Sequence, residues 1–274
     1  MTSRTFTVVL GMIGLIGIYL FVTAPEKLPG PKSSTSNLKI PIEQVFRIIA
    51  QQQSIARTIY TSEIVGPGKK AGLKFGENWK NDDSEEGPLP ALLLREIAKN
   101  ITKTNVPIAL FLGSDFPIAP SNKFIGHQAE QFKVVKRTRR PVFFKSVDTD
   151  SHIAMFPDFS KAQPCVSCHN SHPDSEKTDW TTEDVMGATT WAYPKGEISP
   201  DELVEMVYSV RLSLEKAYSS YLEKVKGLNE SPEIGKSWPR DGFFLPSVDV
   251  FMAEVDRQGG GEALSLILEA LKAK

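Results

Sequence analysis

The residues with the clearest chemical capacity are Cys165-Val166-Ser167-Cys168-His169, a run that contains both cysteines of the 274-residue chain. Two thiols three residues apart, followed directly by a histidine, have the spacing of c-type haem attachment. Each sulfur adds across one vinyl group, and the imidazole of His169 becomes the proximal iron ligand. Three other readings compete: a disulfide, a thioredoxin-like redox pair, and half of a zinc site. Zinc would need two further soft or imidazole ligands at similar spacing, and the sequence has no second cysteine pair. A redox pair is expected at a helix N-terminus early in a βαβ unit, whereas this run follows Pro164 in what reads as a loop.

The sixth iron ligand does not follow from spacing. His127, His152, Met155 and Met186 are the candidates for the distal side, and an open position is the alternative. His172, three residues after His169, has difficulty reaching the opposite face and reads as a packing or hydrogen-bonding group near the proximal side. Arg57, Lys69, Lys70 and Lys177 are candidates to pair with haem propionates. Trp180 and Phe156 are candidates to pack on the ring edge, and Arg57 or Tyr60 could bring a polar group or water to the iron. No acid–base constellation accompanies the motif, so an electron carrier or sensor is expected rather than an enzyme.

The rest of the chain must position this run. A net charge of −1 gives no reason to expect nucleic acid as a partner. Residues 1–24 read as a single transmembrane anchor: Phe6 to Val22 is apolar apart from Thr7, and Pro25 stands where a signal-peptide cleavage site would lie. Arg4 suggests a cytoplasmic N-terminus, Lys27 and Lys32 pull the other way, and covalent haem attachment, which matures outside the cytoplasm, favours a periplasmic haem domain. Gly11, Gly14 and Gly17 could let two anchors approach, as in a homodimer, although their spacing is three rather than four and the plainer reading is that they face lipid. Residues 25–39, rich in Pro, Ser, Lys and Gly, read as a linker.

Residues 40–195 read as the haem domain. A helix opens near Pro41 and runs to Tyr60, where a glycine-rich turn through Leu73 ends it. That turn lacks the Walker spacing, which argues against a nucleotide site. A second helix covers 88–104 and a third 124–137; short strands fall at 108–112, 142–147, 153–156 and 185–193. Helices on one side of a short antiparallel sheet imply an α+β fold. Lys133, Lys136, Arg137, Arg139 and Arg140 form a basic stretch that could dock an acidic redox partner. Residues 196–274 read as a helical C-terminal extension: one long helix with an apolar stripe from Leu203 to Val225, then two shorter helices separated by Gly259-Gly260-Gly261. Left exposed, that stripe would dock the chain in a larger membrane complex.

Several stretches together resemble the bacterial c-type haem proteins whose haem sits in a PAS-like domain, formerly a domain of unknown function. They are Ala56 to Gly72 (ARTIYTSEIVGPGKKAG), Gly113 to Pro117 with Asn122, and Pro164 to Gly187, which carries CxxCHNxHPxSxKxDW. The resemblance spans roughly residues 42–193. It implies a PAS-like sheet with flanking helices, one covalently bound haem c, and a role in electron transfer or redox sensing outside the cytoplasm. The expected function is therefore a membrane-anchored monohaem cytochrome, with a redox or gas (NO, CO, O₂) sensor as the alternative.

Overall fold

Ile42, Val45, Phe46, Ile49 and Ile59 recur at helical spacing behind Pro41. In the computed structural model, which describes residues 38–161 and 163–272, they form the buried face of helix α1 (Ile42–Ile59), preceded by the short strand β1 (Ile40–Pro41). The helix does not stop in the expected glycine turn. It widens into a π-helical turn over Tyr60–Val65 and continues as α2 (Gly66–Ala71). Pro67 is tolerated there because the first turn of a helix has no intrahelical use for its missing N–H. The end comes at Gly72, whose φ of +105° only glycine adopts at little cost, with the Leu73 N–H closing onto the Gly68 carbonyl at 2.8 Å.

Strands β2 (Lys74–Gly76) and β3 (Glu86–Pro88) pair in parallel ahead of helix α3 (Pro90–Ile101). There follow β4 (Ala109–Gly113), α4 (Gly126–Thr138), β5 (Val142–Lys145), β6 (His152–Phe159), the short helix α5 (Gln163–Ser171) and β7 (Val185–Tyr193). The strands β4, β7, β6 and β5 form, in that order, an antiparallel sheet. Alternation along β6 sends Ile153 and Met155 to one face, where they pack with Phe132 and Val135 of α4. It sends Ala154 to the other face, into the core that α1 fills, with Phe156 packed against it. The α+β class with an antiparallel sheet holds. The expectation that the helices lie on one side is corrected, since both faces of β6 carry apolar residues and each buries them under a helix.

The last third of the chain overturns the picture of an appended extension. Strand β8 (Glu197–Ile198) pairs with β1, bringing Ile198 opposite Ile40, and helix α6 (Pro200–Lys226) starts on a capping box. There Ser199 Oγ accepts from the Glu202 N–H at 3.2 Å and Glu202 Oε2 accepts from the Ser199 N–H at 2.8 Å. The stripe expected to be exposed is buried: Met206, Val210, Leu214, Tyr218 and Tyr221 enter the same core as α1 and α3. After β9 (Glu233–Gly235) and β10 (Phe244–Pro246), one helix, α7 (Val248–Lys272), runs through the glycines expected to divide it. Tyr218 stacks on Phe251 of α7 at 4.3 Å and donates to the Pro246 carbonyl at 2.8 Å. The unit thus runs from Leu38 through the C-terminal helices, so the fold is not a PAS-like domain of residues 40–195 followed by a separate extension.

Single-pass anchoring is also corrected. Among the described residues no helix is long and apolar enough to cross a membrane, and the apolar run from Phe6 to Val22 lies outside the described residues. The periplasmic location, expected from that anchor together with covalent haem attachment, loses the anchor's support.

Candidate functional site

The motif lies in α5, a nine-residue helix, rather than in the expected loop. Helical spacing changes what the residues can do together. Cys165 and Cys168 stand three apart and Cys165 and His169 four apart, so all three side chains share one face. Both thiols are free and exposed, while Val166 on the other side is buried and seats the helix. Elimination of the redox pair by its loop position therefore fails. Burial and the nearby Glu77 push the Cys168 thiol above its ordinary value, with Lys69 opposing, which is the reverse of an activated thiolate.

His169 is half-buried, and its Nδ1 is closed off from solvent without a hydrogen-bond partner. Burial and the neighbouring His172 lower its pKa, against the pull of Asp158 and Glu77. The neutral form that results is the one that ligates a metal. Among the described residues no group of three or more His, Cys, Asp and Glu side chains is placed to hold a metal ion, so the half zinc site lacks its other half there. Two attachment thiols and a neutral imidazole on one helix face do fit a haem, because the porphyrin brings its own four nitrogen ligands.

Three contacts fasten α5. Asn170 grips the backbone of Trp180 from both sides, its Oδ1 accepting from the Trp180 N–H at 2.8 Å and its Nδ2 donating to the Trp180 carbonyl at 2.9 Å. The His172 N–H donates to the Cys168 carbonyl at 2.9 Å. The His172 ring spans the gap to the segment after β2: Nδ1 accepts from the Asp174 N–H at 3.1 Å, leaving Nε2 to face Glu77 at 3.4 Å.

Arg57 reaches this neighbourhood from the last turn of α1. Its guanidinium donates to Asp158 on β6 at 2.9 Å, with Cys165 among its electrostatic neighbours. Lys177 pairs with Asp179 and sits 4.6 Å over the ring of Trp180, which is 7% exposed and touches Phe116 edge-on. Lys69 lies close enough to influence Cys168, while Lys69 and Lys70 are both exposed. Tyr60 is committed elsewhere: it is fully buried between Phe75 and Tyr221, and its hydroxyl donates to the Pro88 carbonyl at 2.7 Å. Phe156 packs edge-on against Phe143 beside the main core.

The distal candidates separate by place. His152 opens β6, seven residues and roughly 23 Å of strand rise from Phe159 at the motif end. His127 stands at that same far end, its ring 4.9 Å from Phe144 and its N–H donated to Asp148 of the β5–β6 turn. Met155 is fully buried on the α4 face, opposite the face that Asp158 shares with Arg57. Met186 alone of the four adjoins Gly187, the register partner of Asp158. Asp158, Glu77 and Asn170 also belong to the neighbourhood. Asn170 is legible as the residue after the motif histidine, whereas Asp158 and Glu77 have no local signal because only the fold brings them there.

A family model described as Tll0287-like matches residues 36–194, more than half of the chain. The chain belongs to the Tll0287-like family. This is a family of cytochrome-like domains. The match covers α1, the sheet and α5, and stops one residue after β7, whereas the core continues through α6 and α7. No curated protein and no solved structure matches the chain.

Proposed function

We propose that this member of the Tll0287-like family is a monohaem c-type cytochrome that exchanges single electrons with a partner protein. The observation that carries the reading is the shared face of Cys165, Cys168 and His169 on α5, in a chain of a cytochrome-like family. Cys165 and Cys168 would hold the haem through thioethers and His169 would ligate its iron. When bound, the group supplies one-electron exchange between ferrous and ferric iron. The chain's own residues supply the setting: burial keeps His169 neutral, Asn170 and His172 hold α5 in place, and Arg57 and Lys177 offer charge to propionates. The basic stretch at the end of α4 is partly used internally, Lys133 by Glu130, Lys136 by Asp115 and Arg139 by Glu183, which leaves Arg137 and Arg140 as the better candidates for an acidic partner.

A second reading, a gas or redox sensor, is favoured by the remote positions of His127, His152 and Met155, which leave fewer protein ligands for the sixth site. Mass spectrometry and absorption spectra of the matured full-length protein test both. One covalent haem with a low-spin spectrum indifferent to CO supports the electron carrier, and rapid CO binding by the reduced protein supports the sensor. A chain that matures with free thiols and no haem overturns both.

A further inference from the structure

Trp180 combines three features that packing alone does not require. It is more than nine-tenths buried, its indole Nε1 is closed off from solvent with no hydrogen-bond acceptor, and the ammonium of Lys177 rests 4.6 Å over its ring. A buried donor without a partner costs free energy, so an acceptor brought to it is bound favourably. Trp191 also has an unpartnered Nε1, but it lies in the main core with no cation over its ring among the described residues, whereas Trp180 has Lys177 over its ring and is tied to the Cys165–His169 helix through Asn170. The Trp180 backbone is tied on both sides to Asn170, the residue after His169, which fixes the indole relative to the attachment helix.

We infer that Trp180 is a hydrogen-bond donor for a carboxylate, and that this carboxylate is a propionate of the haem held by Cys165 and Cys168, with Lys177 as its cationic companion. The inference rests on the haem reading above. An indole N–H at the ring edge and an ammonium 4.6 Å over the ring face can serve one partly buried carboxylate together, the first by a hydrogen bond and the second by charge. Lys177 is already paired with Asp179, whose side chain is 83% exposed; a less hydrated carboxylate competes well for the same ammonium. Asn170 is then a positioning residue, acting on the site through the backbone of Trp180.

Ultraviolet resonance Raman spectroscopy reads the state of an indole N–H directly, and the difference between wild type and Trp180→Phe isolates this one among the four tryptophans. The expected result is a hydrogen-bonded indole in the matured, haem-bearing protein and a free one in the Cys165→Ser/Cys168→Ser chain. Trp180→Phe should also shift the propionate bending band of the visible-excited spectrum and move the pH at which the reduction potential bends. A free indole signal in protein shown by mass to carry haem overturns the inference and leaves the cytochrome reading standing. Absence of the haem mass overturns that reading instead. If Trp180→Phe fails to fold, the comparison of wild type with the double serine variant still decides, since an indole signal unchanged between the two overturns the assignment.

Discussion

Arg57, in the last turn of α1, holds Asp158, at the end of β6, in a 2.9 Å ion pair that closes 101 residues of chain. Each side chain keeps about a quarter of its surface exposed, so the pair is neither a surface bridge of small worth nor a fully buried one. Arg57→Ala or Asp158→Ala should destabilise the protein by about 1–3 kcal/mol, with the double substitution costing less than the sum. Urea unfolding in a double-mutant cycle measures the coupling; additive losses would show that the two groups act independently.

The places of His127, His152 and Met155 predict that His127→Gln, His152→Gln and Met155→Leu leave the absorption spectrum of the haem-bearing protein unchanged. Met186→Leu is the informative comparison, because Met186 lies at the motif end of the sheet. A lost low-spin spectrum in any of the first three variants would place that residue at the iron and contradict the sheet geometry.

His169 titrates below its ordinary value, with burial the leading cause. In the haem-free Cys165→Ser/Cys168→Ser chain, the unfolded state therefore binds a proton more readily than the folded state. This contribution to stability is fully present above the unfolded value of about 6.5 and is lost as pH falls through the lower folded value. Unfolding free energies measured from pH 7.5 downward should fall across that window, and His169→Gln should flatten the slope.

Asn170→Ala removes two hydrogen bonds and leaves the Trp180 N–H and carbonyl without those partners. A loss of about 1–3 kcal/mol is expected. Hydrogen exchange at the Trp180 amide should accelerate well beyond that of the β6–β7 ladder. Equal acceleration everywhere would mean that Asn170 acts on global stability and not on this loop.

The helices beyond residue 195 share the core, so removing them should not leave a stably folded domain. Truncation after residue 195 uncovers Phe46, Leu93 and Ile97 and takes away the partner of β1. Leu214→Ala, at a side chain 2% exposed, should cost about 2–5 kcal/mol and lower the single unfolding transition of the whole unit. A cooperative, haem-binding 1–195 fragment would refute this integration.

What the sequence by itself determined is local and periodic. The spacing of Cys165, Cys168 and His169 is written in five consecutive residues, and the buried face of α1 and the strand Val185–Tyr193 follow from apolar spacing that a chain carries wherever it folds. Only the tertiary structure decided which apolar face meets which. The stripe from Leu203 to Val225 looks identical whether it awaits a partner or fills its own core, and here it fills the core beneath α1 and α3. Likewise, Gly72 rather than the earlier glycines ends the first helix because Pro67 and the turn around it fit a continued helix. Asp158 and Glu77 join the motif from 7 and 88 residues before Cys165 because antiparallel pairing and helix packing, not sequence distance, set what lies beside it. His152 and Met155, closer along the chain than Glu77, are carried away by strand rise and by the alternation of faces along β6.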